Sequence, residues 1–253
     1  MNESLAVGQQ SVGTLCVILA GGRSARMGEA KWSVRLKDGR TMLEHVADAM
    51  RPLGFPLAVA GPPEGLGEMT AIPPDLVLIC DAARFEGPLF ALEHLMSQTR
   101  SEVLLLTGCD QPLLRVDDLR RLLATARQAR RPAFFTTEQG QHLDPLPGAY
   151  HRDQWASMGE ALAAGVRSPR QWLGNVQCEW VVIDDAGARA AASFNTREQL
   201  IAAGLLPPAA SEVPQSDRNP LFPFANRCGQ TPDLLDKFTQ FKPDVPQPDR
   251  GKP

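Results

Sequence analysis

A glycine-rich segment, Gly21 to Gly28 (GGRSARMG), follows the first apolar run of the sequence, and Lys31 stands three residues beyond it. Glycine allows the backbone to turn with positive φ and to bring its N–H groups close to a ligand. Two arginines and a lysine around such a nest of donors would neutralise phosphate charge. The segment therefore predicts a polyphosphate site. A plain strand-to-helix turn with exposed basic residues is the alternative that a glycine pair alone leaves open.

Carboxylates follow two later apolar runs. Asp110 comes directly after one of them, in the sequence TGCDQP, and Asp81 directly follows another. A carboxylate at a strand end is a hard oxygen ligand suited to Mg²⁺, which usually takes one or two carboxylates together with substrate phosphates. Pro112 breaks the chain after Asp110 and disfavours a role as cap of the next helix. We expect a magnesium site at Asp110, and at Asp81 either a base or ribose contact or a turn.

Two common nucleotide motifs do not fit the glycine-rich segment. A Walker A loop requires a Lys after its last glycine, whereas Gly28 is followed by Glu29, and the sequence contains no G-x-G-x-x-G. Other side chains that bind metals or bases are scattered. The histidines are unclustered, so we expect no histidine metal site, and the tryptophans fit packing better than base stacking; these residues are His45, His94, His142, His151, Trp32, Trp155, Trp172 and Trp180.

Short apolar runs alternate with segments of helical periodicity. The runs cover residues 14–19, 56–60, 76–79, 102–107, 132–136 and 179–183. Apolar residues recur at three- and four-residue spacing in 41–51, 88–98, 117–130 and 154–164. This alternation predicts a three-layer α/β fold with a mostly parallel sheet covered by helices on both sides. Ligands of such sheets bind at the carboxyl ends of the strands, where both the glycine-rich segment and Asp110 fall.

The composition narrows the class of protein and its compartment. The net charge of −3 over 253 residues favours neither nucleic acid nor a membrane surface as partner. The five cysteines lack C-x-x-C spacing, which disfavours a disulfide framework and a zinc site. Residues 1–13 carry no signal-peptide pattern, and no apolar stretch approaches the roughly 20 residues that cross a bilayer. These features predict a cytoplasmic protein.

The sequence divides into three segments that differ in composition and in apolar pattern. Residues 1–13 read as an N-terminal extension and residues 14–206 as one catalytic domain. Residues 207–253 read as a tail, because ten of the 22 prolines fall there. A short helix is expected at 232–241, where Thr231-Pro232 forms a helix start. Apolar residues follow it at helical spacing, namely Leu234, Leu235, Phe238 and Phe241.

The motifs resemble the molybdenum cofactor guanylyltransferase family of the NTP-transferase superfamily, in order and spacing, from Thr14 to Gly204. The Leu-Ala-Gly-Gly form and the Cys-Asp-x-Pro form resemble the guanylyl branch, since the cytidylyl branch more often has Leu-Ala-Ala-Gly. The matching stretches are Leu19 to Gly28 with Lys31, Asp81 with Gly87-Pro88-Leu89, Cys109 to Pro112, Asp144 to Tyr150, and Phe194 to Leu200.

The resemblance implies a Rossmann-like nucleotidyltransferase that moves GMP from Mg-GTP to the terminal phosphate of molybdopterin. It implies GTP and molybdopterin, with or without molybdenum, as substrates, and proteins of molybdoenzyme maturation as partners. By this resemblance the Gly21-Gly22 nest and Arg26 hold the β- and γ-phosphates, and Leu19 and Ala20 belong to the nucleotide site. Lys31 neutralises charge near the α-phosphate, Asp110 holds the metal, Asp81 and Gly87 contact the nucleoside, and Asn195 serves the acceptor. Apart from the resemblance, Ser193 and Trp172 are further candidates for the acceptor side, Trp172 because it stands beside Arg170 and Leu173.

Two positions depart from the family pattern and keep other functions open. Ser193 stands where a second Asn is usual, and a hydroxyl offers one donor where an amide offers two. Phe90-Ala91 replaces the usual Ala-Gly near the nucleotide. The remaining alternatives are transfer of another nucleotide, transfer to a cytidylyl-type or sugar-phosphate acceptor, and a nucleotide-binding module with little catalytic activity.

Overall fold

A seven-stranded sheet lies at the centre of the structure, a computed structural model that describes residues 12–208 apart from 21–26, 28, 62–71, 81–87 and 142–143. The strand order is β3-β2-β1-β4-β6-β5-β7. Strand β6 is antiparallel to both neighbours, and the other pairs are parallel. The strands are β1 (Val12–Leu19), β2 (Leu57–Gly61), β3 (Leu76–Cys80), β4 (Ser101–Gly108), β5 (Ala133–Thr137), β6 (Gly148–His151) and β7 (Glu179–Ile183).

Helices cover both faces of this sheet, as the alternation of the sequence predicts. The mostly parallel three-layer α/β fold is therefore confirmed. The α-helices are α1 (Met42–Met50), α2 (Pro88–Gln98), α3 (Val116–Ala129), α4 (Trp155–Ala163), α5 (Pro169–Leu173), α6 (Asp185–Ala190) and α7 (Arg197–Ala202), with 3-10 turns at Lys31–Ser33, Arg51–Leu53 and Arg152–Gln154.

Strand β1 shows why both faces must be covered. Its side chains alternate between two apolar clusters: Cys16 and Ile18 belong to one, and Leu15 and Val17 to the other. All four are at most 2% exposed. A strand whose two faces are both buried reads as a continuous apolar run, which is the signal that identified it.

Helix α3 packs on the sheet by the face that its periodicity predicts. Leu119, Leu122, Leu123 and Ala126 are all buried. Arg120 and Arg121 of the same helix are exposed, on the face away from the sheet.

Strand β6 is the element that apolar periodicity missed. Its four residues, GAYH, contain no apolar run, and the stretch 144–150 was singled out only by its resemblance to a proline-containing strand of the family. The strand is nevertheless fully buried, because it lies between β4 and β5. Helices α5 and α6 were also missed, since five and six residues are too few to show a helical period.

The last described residues pack on the loop that precedes α1. The Lys37 N–H donates to the Leu205 carbonyl at 2.9 Å, and Leu206 is 7% exposed within a cluster that includes Met42 and Leu200. The expected helix 232–241 and most of the tail lie outside the described residues. In the part of the chain that is described, no helix combines the length and hydropathy that a membrane span requires.

Candidate functional site

The carboxyl ends of β1 and β4 lie side by side. Leu19 pairs with Gly108, and the Cys109 N–H donates to the Leu19 carbonyl at 3.0 Å. Ala20 continues from β1 and donates its N–H to the Ala60 carbonyl at 2.8 Å. Asp110 follows two residues after β4, so the structure places it near Leu19 at the end of β1, as the strand-end rule predicts.

Lys31 joins Asp110 to a residue far away in the sequence. Its Nζ donates to Oδ2 of Asp110 at 2.8 Å and to Oδ1 of Asn195 at 2.6 Å. The side chains of Lys31 and Asp110 are 22% and 17% exposed. The sequence assigned Lys31, Asp110 and Asn195 to the site separately. The structure brings the three side chains together at the carboxyl ends of the central strands β1 and β4.

Asn195 is held by the helix start that follows it. Thr196 is the N-cap of α7 and forms a capping box with Gln199. Oε1 of Gln199 also accepts the Asn195 N–H at 2.6 Å, while the Phe194 N–H donates to the Asp110 carbonyl at 2.8 Å. The Asn-Thr motif therefore starts a helix, as expected, and its backbone is bonded directly to the Asp110 loop.

Ser193 and Met27 border this cluster. The Ser193 carbonyl lies 3.5 Å from Nδ2 of Asn195, which fixes the way the amide faces. Met27, from the glycine-rich segment, is 3% exposed and packs in one apolar cluster with Phe194. The Asn195 segment thus packs against the one described residue of the glycine-rich segment.

Gly108 leaves room for the Asp110 carboxylate. A Cβ at position 108 would lie 2.4 Å from Oδ1 of Asp110, so the carboxylate would have to turn away to admit it. Gly108 does not have a positive φ, so the close approach of this carboxylate, and not the backbone conformation, favours glycine here. Oδ1 thus occupies a space that any other residue would fill.

The donor set suits a hard cation bound together with substrate phosphates. Asp110 supplies a partly exposed carboxylate, and Asn195 supplies an amide oxygen bonded to the same ammonium. Mg²⁺ takes such oxygens and completes its shell with phosphate oxygens and water. Lys31 adds the positive charge that a polyphosphate needs. The residues present therefore fit a magnesium-nucleotide site.

Cys109 has no part in this chemistry. It is 5% exposed, and burial raises the pKa of its thiol to about 12, with the Asp110 charge acting in the same direction. At neutral pH the thiol is protonated and is not a nucleophile. The Cys-Asp pair of the motif thus combines a core residue with a site residue.

One alternative and one assignment from the sequence are corrected by the structure. The alternative that Asp110 caps the next helix is wrong, because the N-cap of α3 is Arg115, without a side-chain cap. The assignment of Trp172 to the acceptor is also wrong. Trp172 is 2% exposed, its ring stacks with that of Tyr150, and its indole N–H donates to Ser157. A buried indole has no surface to offer an acceptor.

The remaining predicted site residues lie outside the described residues. They are Gly21, Gly22, Arg26, Asp81 and Gly87. A residue that sequence reasoning assigned no role is Gln111, whose side chain is fully buried beside Asp110. Its only sequence signal is a polar residue between the carboxylate and Pro112.

Comparison with known proteins agrees with this geometry. A family model described as a MobA-like NTP transferase domain matches residues 16–179. A molybdenum cofactor guanylyltransferase of Pseudomonas syringae is 31% identical over 71% of this chain and 88% of its own, and one of Ectopseudomonas mendocina is 30% identical over 75% and 90%. The crystal structure of molybdopterin-guanine dinucleotide biosynthesis protein A from Archaeoglobus fulgidus superposes with a TM-score of 0.62 at 18% identity, covering 75% of this chain and 96% of that one.

Proposed function

The chain belongs to the MobA-like NTP transferase family and is a nucleotidyltransferase, and we propose that it transfers GMP from Mg-GTP to the terminal phosphate of molybdopterin. The observation that carries the proposal is the contact of Lys31 with both Asp110 and Asn195 at the carboxyl ends of β1 and β4. The choice of GTP and of molybdopterin is supported by relatives named molybdenum cofactor guanylyltransferase that align over most of the chain.

The reaction forms one phosphorus–oxygen bond and breaks another. An oxygen of the acceptor phosphate attacks the α-phosphorus of GTP, and the bond to the β-phosphate bridging oxygen breaks, so that pyrophosphate leaves with the electron pair. A phosphate monoester is already an anion at neutral pH, so the attack needs no general base. Catalysis then depends on positioning and on stabilising charge at the α-phosphoryl group.

Lys31 is the residue we place closest to the reacting phosphorus. Its ammonium is held by two oxygen partners from different parts of the chain, which restricts where the charge lies. We infer that this charge stabilises the α-phosphoryl group as negative charge builds up on its oxygens. Leu19 and Ala20 lead from β1 into the glycine-rich segment, whose Gly21, Gly22 and Arg26 would hold the β- and γ-phosphates.

Asp110 is the residue that would hold Mg²⁺, and the Asn195 amide oxygen lies within reach of the same ammonium. When bound, Mg²⁺ neutralises triphosphate charge and orients the leaving pyrophosphate. Asp81 and Gly87 would contact the nucleoside. Asn195 and Ser193 would face the acceptor, and Ser193 gives that side a shorter polar group than the amide usual in the family.

The test compares the four nucleotides by thermal shift and by pyrophosphate release, with and without molybdopterin. Thermal shift with each Mg-NTP should rank GTP first, and pyrophosphate release should require both GTP and molybdopterin. A larger shift and faster release with CTP would move the protein to the cytidylyl branch. Binding of GTP without any release of pyrophosphate would indicate a nucleotide-binding module with little catalytic activity.

We place the reaction in the cytoplasm, upstream of the proteins that insert the finished cofactor into molybdoenzymes.

A further inference from the structure

Gln111 is a buried glutamine with every polar atom of its amide engaged. Its side chain is 0% exposed. Oε1 accepts the Gly108 N–H at 2.8 Å, and Nε2 donates to the carbonyls of Leu146 at 2.9 Å and Ala191 at 2.7 Å. Both N–H groups and the carbonyl therefore have protein partners.

These three hydrogen bonds join three segments of the chain. Gly108 is the end of β4, Leu146 lies in the loop before β6, and Ala191 lies just after α6. Leu146 and Ala191 are 35 and 80 residues away from Gln111 along the chain. One side chain thus fixes the relative position of a strand end and two loops.

Two of the three segments carry the site. Asp110 is the residue before Gln111, and Asn195 is four residues after Ala191. A second bond, from the Phe194 N–H to the Asp110 carbonyl at 2.8 Å, crosses between the same two segments. The Gln111 amide and this backbone bond together determine how far Asn195 lies from Asp110, and hence whether Lys31 can contact both.

We propose that Gln111 is a positioning residue for nucleotidyl transfer, holding the Asp110 and Asn195 segments at the separation that the metal-bound nucleotide requires. The proposal rests on the proposed function of the same site. Gln111 does not touch the substrates, because its side chain is buried and its amide is bonded to backbone. It acts through the two loops.

Tyr150 provides a matched control for a merely structural role. It is also buried, at 1% exposure, and its hydroxyl donates to the Pro145 carbonyl at 3.0 Å. This bond fixes the same loop that Gln111 contacts at Leu146, but it reaches neither Asp110 nor Ala191. Tyr150→Phe therefore removes a buried hydrogen bond of the same kind without releasing the site.

The first measurement compares Gln111→Met with Tyr150→Phe. Methionine keeps the length of the side chain but leaves the Gly108 N–H and two carbonyls without their partner. We expect kcat to fall about 100-fold, the cost of a misplacement of about an ångström, with little change in KM for GTP. Tyr150→Phe should keep the wild-type kcat. Equal effects of the two variants on kcat would overturn the positioning role.

The second measurement is a double-mutant cycle with Asn195→Ala. If Gln111 acts through the Asn195 segment, Gln111→Met should lower kcat far less in the Asn195→Ala background than in the wild type. Additive losses in the two backgrounds would contradict the proposal. Should Gln111→Met fail to fold, Gln111→Asn takes its place, since it keeps the amide but is too short to span all three partners.

A third readout does not depend on turnover. The Mg²⁺ concentration that half-saturates GTP binding, followed by calorimetry, should rise about tenfold in Gln111→Met, as for loss of a group that orients a metal ligand, and stay unchanged in Tyr150→Phe. A wild-type protein that binds Mg-GTP but transfers nothing to molybdopterin would refute the proposed function alone. An unchanged Mg²⁺ dependence in Gln111→Met would refute the role of Gln111 alone.

Discussion

Two groups of charged and polar side chains in this protein have similar contacts but differ in burial and in the sequence separation of their partners. The site contains Lys31, Asp110 and Asn195. An outer ion-pair chain runs Asp38-Arg40-Asp48-Arg51-Asp75 over the surface beside α1, with 2.7 Å contacts at Asp38–Arg40 and at Arg51–Asp75. Its side chains are 36% to 50% exposed, whereas Lys31 and Asp110 are 22% and 17% exposed.

Sequence separation distinguishes the groups further. Within the outer ion-pair chain the paired residues lie 2 to 24 positions apart, whereas Lys31 pairs with residues 79 and 164 positions away. Local pairs hold neighbouring turns together in water, and each contributes little. Charges that the fold collects from distant segments onto a half-buried sheet edge can act together on a ligand. Convergence of distant residues and burial, and not the number of ion pairs, therefore identify the site.

The largest effect is expected from Asp110→Asn. The substitution keeps the shape of the side chain and removes one negative charge from the residue that would hold Mg²⁺. Turnover should fall at least about 100-fold, the range for losing one electrostatic contact to a transition state. Steady-state pyrophosphate release measures it, with thermal melting as the control for folding. Near-normal turnover would show that Asp110 holds no catalytic metal.

Lys31→Ala should also lower turnover, since it removes positive charge near the reacting phosphorus. We expect about a 100-fold loss of kcat. Lys37→Ala is the matched control, because Lys37 is an exposed lysine six residues further along the same segment. If both variants lose the same modest activity, general charge rather than the position of Lys31 supports the reaction.

Gly108→Ala tests whether the space beside Asp110 matters. The added Cβ would lie 2.4 Å from Oδ1, so the carboxylate must move. The Mg²⁺ concentration for half-maximal activity should rise about tenfold. The control is Gly159→Ala in α4, where a Cβ meets nothing within 4 Å. A wild-type Mg²⁺ dependence in Gly108→Ala would mean that the orientation of Asp110 is unimportant.

Arg51→Ala should have a small effect on stability and none on catalysis. Removing this exposed partner of Asp48 and Asp75 should lower the free energy of unfolding by less than about 1 kcal/mol. Arg51 lowers the pKa of Asp75, so the contribution is present at neutral pH and is lost as the pH falls through the lowered pKa of that carboxyl. Urea unfolding at pH 7 and at low pH measures the difference. A loss of turnover would make the outer ion-pair chain part of the site.

Removal of residues 207–253 should change neither the contacts of Lys31 with Asp110 and Asn195 nor those of the outer ion-pair chain. Leu206 already closes an apolar cluster with Met42 and Leu200, and none of the contacts described for the site comes from later residues. A chain ending at Leu206 should bind GTP and release pyrophosphate like the full chain, in the same assay. Loss of activity would mean that the tail completes the active site.

The sequence predicted the elements best where one face or both faces of an element are buried. Helix α3 was predicted from its apolar periodicity and β1 from its apolar run, because both patterns report burial directly. Strand β6 escaped because a four-residue strand held by its neighbours needs no apolar run of its own. The acceptor assignment of Trp172 was wrong, whereas the general expectation that the tryptophans pack in the core holds for this residue.

The candidate site was predictable where residue type and position agree. Asp110 follows one apolar run, and the glycine-rich segment before Lys31 follows another. Because the carboxyl ends of parallel strands meet at one edge of the sheet, the topology predicts that Asp110 lies near the end of β1. The role of Gln111 could not be predicted, because its partners lie 35 and 80 residues away and are backbone carbonyls with no sequence signature. Only the folded chain shows which loops its amide joins.

The most direct test of nucleotidyl transfer follows the α- and γ-phosphates of GTP. Wild-type protein is incubated with Mg²⁺, molybdopterin, and GTP labelled at either the α- or the γ-phosphate. We expect the α-label to appear in a molybdopterin product and the γ-label in pyrophosphate, and we expect Asp110→Asn to suppress both. Transfer of the γ-label to molybdopterin, or binding of GTP with no label transferred from either position, would contradict nucleotidyl transfer.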